Sequence, residues 1–579
     1  MRKFEITDDF YLDGVRIQII SGSIHYFRVV PEYWKDRLEK LKALGCNTVE
    51  TYIPWNMHER EKGRFDFTGM LDIERFVREA QDTGLWVILR PSPYICAEWE
   101  FGGLPYWFLK EDGMRLRCSY PPYFECVKKY YEKLFKIIAP LQITRGGPVI
   151  MMQVENEYGY YGDDKKYLND LKQLMEDCGC EVPLVTSDGP YGESFDCGKT
   201  DGVLQTGNFG SHGKEQFAVM RKKIGNRPLM CMEFWVGWFD SWGAEHQTGN
   251  IQEHAEDLDA ILSEGHVNIY MFEGGTNFGF MNGANYYDRL TPDVTSYDYD
   301  ALLTEDGQIT PKYETFRKII GKYTEIPDVR ISPPNRIAYG ELNVCRSASF
   351  FGNLNRLSSP VESVCTLPME KLDQGYGYIL YESEMNETEE LSSVRLNKAN
   401  DRAQIFVDET PVLTLYDREL LEEHKTDQIP AKNGKISILM ENMGRVNFGP
   451  LLEEQRKGID GNVVLNGHIH YHWNIYPLPL EDLSDLDYSL PAGDREPGFY
   501  EFTFQADKIG DTFLELSGWG KGCVFVNNFN IGRFWEIGPQ KRLYIPGPLL
   551  HRGENSILIF ETEGRRSGKI QLREEPDGI

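Results

Sequence analysis

Carboxylates and aromatic rings recur together in five short stretches of the chain. They are Glu50-Thr51-Tyr52-Ile53-Pro54-Trp55, Glu98-Trp99-Glu100, Glu155-Asn156-Glu157-Tyr158, Glu233-Phe234-Trp235-Val236-Gly237-Trp238 and Phe272-Glu273. Sugars are recognised by this combination, because their C–H faces stack on indole and phenol rings while their hydroxyls need fixed donors and acceptors. Two carboxyl groups flanking an anomeric carbon can also hydrolyse a glycosidic bond.

One stretch can be read by pleat. In the run Pro148–Glu155, Ile150, Met152 and Val154 share one parity and are apolar, while Gln153, Glu155 and Glu157 share the other. On a strand, that second set faces a single side. Glu157 then sits at the lip and Glu155 one layer deeper, as a buried partner that holds a neighbour or a positive group in place. Parity favours Glu157 for chemistry and leaves Glu155 open.

The elements that would position these residues alternate along the first half of the chain. Apolar runs at Ile17–Gly22, Cys46–Ile53, Leu85–Arg90, Pro148–Glu155, Pro183–Ser187, Gly202–Thr206, Pro228–Glu233 and Val267–Phe272 read as strands. Amphipathic helices are predicted over Pro31–Leu44, Leu71–Thr83, Pro121–Ala139, Asp164–Cys178, Lys214–Ile224, Ile251–Ser263 and Pro311–Ile320, and the fifth gap lacks a clear helix. Eight strands interleaved with helices predict a (β/α)8 TIM barrel, whose chemistry lies at the C-terminal strand ends, where the five stretches fall. After Pro327, Pro333 and Pro334 the pattern changes to short strands separated by Gly, Asn and Pro. The fold expected is α/β plus all-β: a barrel over 1–325, a linker over 326–372 packing on barrel and β domains, and two β-sandwich, jelly-roll-like domains over 373–480 and 481–579. The acidic run Glu387-Thr388-Glu389-Glu390 reads as a solvated loop.

Composition narrows the function classes. A formal net charge of −28 over 579 residues repels phosphate backbones, so nucleic acid is not an expected partner. No apolar run is long enough to span a membrane. The N-terminal residues are charged without an apolar core, and eleven scattered cysteines suit reduced thiols, so a cytoplasmic location is expected. His25 and His58 lack a third clustered histidine and do not read as a metal site.

The motifs ETYIPWNMHE, VILRPSPYICAEWEFGGLP, GGPVIMMQVENEYG, MEFWVGWFDSWG, YMFEGGTNFGF and TSYDYDALLTEDG occur in this order, followed by ENMGRVNFGP and SGWGKGCVFVNNFNIGRFW. Together they resemble glycoside hydrolase family 35, the β-galactosidases, over nearly the whole chain, and point to a bacterial, cytoplasmic-type member. The resemblance implies Glu157 as acid/base and Glu233 as nucleophile of a retaining, double-displacement exo-β-galactosidase. It implies that Tyr52, Ala97 (through its backbone), Glu98, Asn156 and Tyr299 hold the galactose hydroxyls, that Tyr297 lies near the nucleophile, and that Trp235 and Trp238 wall the pocket and entrance. It implies galactose-binding-like sandwiches, a galactose-terminated oligosaccharide as partner, and no metal or cofactor. A homodimer is also expected, as is a preference for β-1,3-linked galactose on N-acetylhexosamine.

Three positions depart from the family pattern. Ser92 replaces a usual glycine, Glu273 stands where many bacterial members have histidine, and Phe448 stands where relatives often have tyrosine. Glu273 is expected to add charge near the rim, and Phe448 to alter what packs over the leaving sugar. Simpler readings are packed core for the two tryptophans and an ion pair between Glu98 and Arg90. The alternative functions are an exo-glycosidase for another β-linked sugar such as glucosamine, or a non-catalytic sugar-binding barrel.

Overall fold

The computed structural model describes residues 2–385 and 390–577; Glu387, Thr388 and Glu389 of the acidic run lie outside the described residues. Eight parallel strands close into a barrel: β1 (Ile20–Ile24), β2 (Thr48–Tyr52), β3 (Trp86–Arg90), β4 (Val149–Asn156), β5 (Leu184–Asp188), β6 (Leu204–Asn208), β7 (Met230–Trp235) and β8 (His266–Glu273), with β8 returning to β1. Each predicted strand is present within a few residues. All eight are almost wholly buried, which explains why they read as continuous apolar runs rather than alternating ones.

Helices α1 (Trp34–Leu44), α2 (Ile73–Thr83), α3 (Pro121–Ile138), α4 (Lys165–Asp177), α5 (Ser194–Cys197), α6 (Gly213–Ile224), α7 (Ile251–Glu264) and α8 (Pro311–Ile320) follow the strands in turn. Their starts are chemically marked. The side chains of Asp72, Asp164, Asn250 and Thr310 accept hydrogen bonds from first-turn backbone N–H groups of α2, α4, α7 and α8. Gly45 ends α1 in the left-handed conformation, at φ 109°. The fifth gap, predicted to lack a clear helix, holds the four-residue α5.

Two sandwiches follow. The first packs a six-stranded sheet against a four-stranded one around Ile379, Ile405, Ile438 and Trp473. The second packs five strands against four around Phe502, Trp519, Val524 and Ile557. The segment 326–372, expected to be a linker, carries strands of both. Gly340–Asn343 and Arg346–Ser349 join the second sandwich, and Val361–Ser363 joins the first. These edge strands are largely exposed, so they lack the apolar signal that marks an inner strand.

One sheet crosses from barrel to sandwich. Val446–Phe448 pairs in parallel with Ala284–Tyr286, an excursion beyond β8 that pairs in turn with Leu290–Pro292. Beside it, the buried Arg445 guanidinium donates to Glu100 at 2.6 Å and to Glu370. The first sandwich is thereby pinned over the C-terminal mouth of the barrel. All eleven cysteines are free thiols. Among the described residues no helix is long and apolar enough to cross a membrane, and no group of three or more His, Cys, Asp or Glu is arranged to hold a metal ion.

Candidate active site

The strand ends surround a cavity of about 330 Å³. Tyr52, Ala97, Glu98, Asn156, Glu157, Glu233, Trp235, Trp238 and Tyr299 line it, so nine of the ten predicted site residues meet there. The tenth, Tyr297, stands behind the wall, donating from its hydroxyl to Glu98 Oε2 and lying 3.2 Å from the Tyr270 hydroxyl.

Several of these residues hold backbone conformations that side chains disfavour. Ala97, Glu98, Glu157 and Tyr299 all have φ between 49° and 61° or, for Glu157, 47°. Such strain persists only where surroundings enforce it, and it clusters at working sites. Two glycines make room for the Tyr297–Tyr299 loop. A Cβ on Gly237 would lie 1.8 Å from the Tyr299 carbonyl oxygen, and one on Gly274 would lie 1.5 Å from that of Tyr297.

Three donors converge on Glu233 at the end of β7. Tyr52 Oη and Arg90 Nη2 each donate to Oε1 at 2.6 Å, and Trp235 Nε1 donates to Oε2 at 3.0 Å. Such charge-assisted bonds suit a carboxylate. Asn156 is held by the same groups, its Oδ1 lying 2.7 Å from the Tyr52 hydroxyl oxygen and accepting from Arg90 at 2.7 Å.

Glu157 has a different environment. Among the described residues only Asn208 donates to its carboxyl, at 3.0 Å to Oε1. Burial, reinforced by the charge of Glu233, pushes its carboxyl up to about 8, so the neutral acid prevails at neutral pH. Glu98 is pushed up to about 7 by burial, against the Tyr297 hydrogen bond and the nearby Arg28 charge.

The pleat reading of β4 needs correction. Gln153 and Asn156 both face the barrel interior, where Arg90 reaches them, although they are three residues apart. The register slips between them against β5, a bulge that breaks strict alternation. Glu155 therefore turns outward rather than toward the axis. Arg117 donates to its oxygens at 3.1 and 2.9 Å, and Tyr167 on α4 donates at 3.2 Å. It is, as expected, a buried partner of a positive group.

Glu273 is also displaced from its expected place. It is fully buried and accepts from Arg37 Nε of α1 at 2.6 Å, so its charge is spent inside the barrel wall, not at the rim. Arg90 pairs with Glu233, and at 3.7 Å with Glu50, not with Glu98. Trp238 is 42% exposed at the cavity mouth, which excludes packed core. His25 and His58 are buried and bonded to Arg28 and Tyr26 respectively.

The cavity has further walls that sequence reasoning did not assign: Tyr160, Tyr191, Tyr270, Asn285 and Tyr287. Phe448 reaches the same cavity from the first sandwich, its ring centroid 6.2 Å from those of Tyr160 and Tyr287. Tyr160 directly follows the VENEYG motif, a signal that could have found it. Tyr287 lies in an excursion whose role is set only by the strand it pairs with.

Comparison with known proteins identifies the family. Residues 9–323 match the family described as "Glycosyl hydrolases family 35". Residues 366–479 match "Beta-galactosidase, first all-beta domain", and 497–555 match "Beta-galactosidase, galactose-binding domain". Beta-galactosidase-1-like protein 2 of Homo sapiens is 43% identical, over 98% of this chain and 90% of that protein. Beta-galactosidase-1-like protein 3 of Rattus norvegicus is 40% identical over 98% of this chain and 91% of that protein. Beta-galactosidase 1 of Dictyostelium discoideum is 40% identical over 94% and 88%. These relatives are eukaryotic and lend no support to a bacterial placement. With a family match over the whole barrel and relatives alike from end to end, the chain belongs to glycosyl hydrolases family 35 and is a glycoside hydrolase.

Proposed function

We propose that the protein is a retaining exo-β-galactosidase that releases terminal β-D-galactose from oligosaccharides. The observation that carries the reading is the contrast between two carboxyl groups in one cavity. Glu233 is surrounded by donors that stabilise negative charge, while Glu157 is kept protonated by burial and by that charge. Opposed environments of this kind separate a nucleophile from an acid.

In the first step Glu233 attacks the anomeric carbon as Glu157 gives its proton to the departing oxygen. The charge on Glu233 is then lost to the ester, and Glu157 becomes acidic enough to serve as base. It takes a proton from water, which attacks the galactosyl ester and frees Glu233. Glu98, Asn156, Tyr52 and Tyr299 fit roles as holders of the sugar hydroxyls. Trp238, Tyr287 and Phe448 offer aromatic faces where a leaving sugar would lie, compatible with β-1,3-linked galactose on N-acetylhexosamine.

Two variants and one substrate panel test this. Glu233→Gln should abolish turnover with the fold intact; retained activity would move the nucleophile elsewhere. Glu157→Ala should be rescued by azide on activated aryl galactosides, giving β-galactosyl azide, and an α product would rule out double displacement. Lactose assayed against β-1,3- and β-1,4-linked galactosyl-N-acetylglucosamine tests the linkage, and equal rates would defeat the proposed preference.

A further inference from the structure

Ser187 is the penultimate residue of β5, and Asn208 is the last of β6. Both side chains are fully buried. Ser187 lies beside Asn156 in the register, and its carbonyl accepts from the Glu157 backbone N–H at 2.9 Å. Asn208 lies beside Glu233. Their side chains link the two glutamates. Arg90 Nη2, whose two hydrogens serve Glu233 and Asn156, shares one of them with Ser187 Oγ at 3.4 Å. The Ser187 hydroxyl donates to Asn208 Oδ1, and Asn208 Nδ2 donates to Glu157 Oε1 at 3.0 Å.

The direction of this chain follows from its first member. A guanidinium has donors only. Ser187 must therefore accept from Arg90 and turn its own hydrogen toward Asn208 Oδ1. That leaves the amide nitrogen, not the oxygen, facing Glu157. The reverse polarity would leave the Ser187 hydrogen, in a fully buried site, either against an Arg90 N–H or without an acceptor. A neutral carboxyl whose Oε1 accepts from an amide carries its proton on Oε2, the oxygen left for the glycosidic bond.

We propose that Ser187 and Asn208 are positioning residues for Glu157, forming with Arg90 a one-way hydrogen-bond chain that fixes which carboxyl oxygen holds the catalytic proton. The inference rests on the reading of Glu157 as the acid. Without the Ser187 hydroxyl, the Asn208 amide is free to flip. Its oxygen would then draw the Glu157 proton to Oε1, away from the leaving group.

The test uses kcat/KM, which reports the first chemical step, on β-galactosides of dinitrophenol and of phenol. A dinitrophenolate leaves without protonation, whereas phenol needs the acid. Ser187→Ala and Asn208→Ala should lower kcat/KM on the phenyl substrate by about 10- to 100-fold, within the usual reach of general acid catalysis, and on the dinitrophenyl substrate by less than about threefold. Ser187→Thr, which keeps the hydroxyl, should restore the phenyl rate. Adding Ser187→Ala to Glu157→Ala should change neither rate further. Equal losses on both substrates, or a Ser187→Ala loss that persists without Glu157, would overturn the inference. If Glu157→Ala itself lost equally on both substrates, the acid assignment would fail instead.

Discussion

At Glu157, burial and the charge on Glu233 act in the same direction, and the hydrogen bond from Asn208 only partly offsets them. The residue is useful as an acid only while protonated, so its raised pKa sets an upper limit on the working range. kcat/KM should be sustained at neutral pH and fall through a single limb near pH 8, measured on a substrate whose leaving group needs protonation. Glu98, at about 7, titrates close by and must be told apart. The limb should survive Glu98→Gln and vanish in Glu157→Ala, both assayed on the phenyl galactoside; the opposite pattern would assign it to Glu98. A second consequence follows from the charge itself. Trapping Glu233 as a stable fluoro-galactosyl ester removes the neighbouring anion, so the Glu157 carboxyl should titrate lower than in the free enzyme. Infrared detection of the protonated carboxyl band across pH would show it, and an unchanged midpoint would mean that burial alone sets the value.

Strand β4 shows what an element adds to its residues. Its bulge lets Gln153 and Asn156 share the interior, sends Glu155 outward and leaves Glu157 in a left-handed turn at the lip. Arg117 holds this shape from outside, binding both the Glu155 carboxylate and the Asn156 carbonyl, the latter at 2.6 Å. Arg117→Met should strand a buried carboxylate and cost about 3–5 kcal/mol, whereas pairing it with Glu155→Met should recover most of that loss. Denaturant melts of the two variants would decide, and additive losses would mean that the pair does not act as a unit. The same strand marks the limit of reading by pattern. Its existence and its two glutamates were plain from a run of apolar residues, as were the other seven strands and the long helices. The facing of Glu155 was not, because a bulge is a backbone irregularity that side-chain parity presupposes away. Arg90 and Asn208 escaped for another reason. Each lies at a strand end as an ordinary polar residue, and its role appears only when β3, β6 and β7 are brought side by side.

On the scale of the whole molecule, the cavity is not the barrel's alone. Phe448 lies more than a hundred residues beyond the last barrel helix, and it was the family motif around it, not any periodicity in either segment, that pointed to a place over the leaving sugar. Two features bring it there: the Val446–Phe448 strand laid against Ala284–Tyr286, and Arg445 buried between Glu100 of the barrel and Glu370 at the foot of the sandwich. An aromatic contact of this kind is worth about 0.5–1.5 kcal/mol, or roughly 2- to 12-fold in affinity. Phe448→Ala should therefore raise KM for a disaccharide by that factor while leaving small aryl galactosides less affected. Arg445→Met tests the anchor rather than the wall. It leaves Glu100 and Glu370 without their shared cation in a buried site, a loss of about 3–5 kcal/mol. Calorimetry should then show the sandwich melting ahead of the barrel. The disaccharide KM should rise as in Phe448→Ala, because the ring is no longer held at the mouth, while the turnover of small aryl galactosides changes less. If Arg445→Met melts as one undisplaced transition and keeps its disaccharide KM, the sandwich is held over the barrel by its apolar contacts, and the buried ion pairs serve some other end.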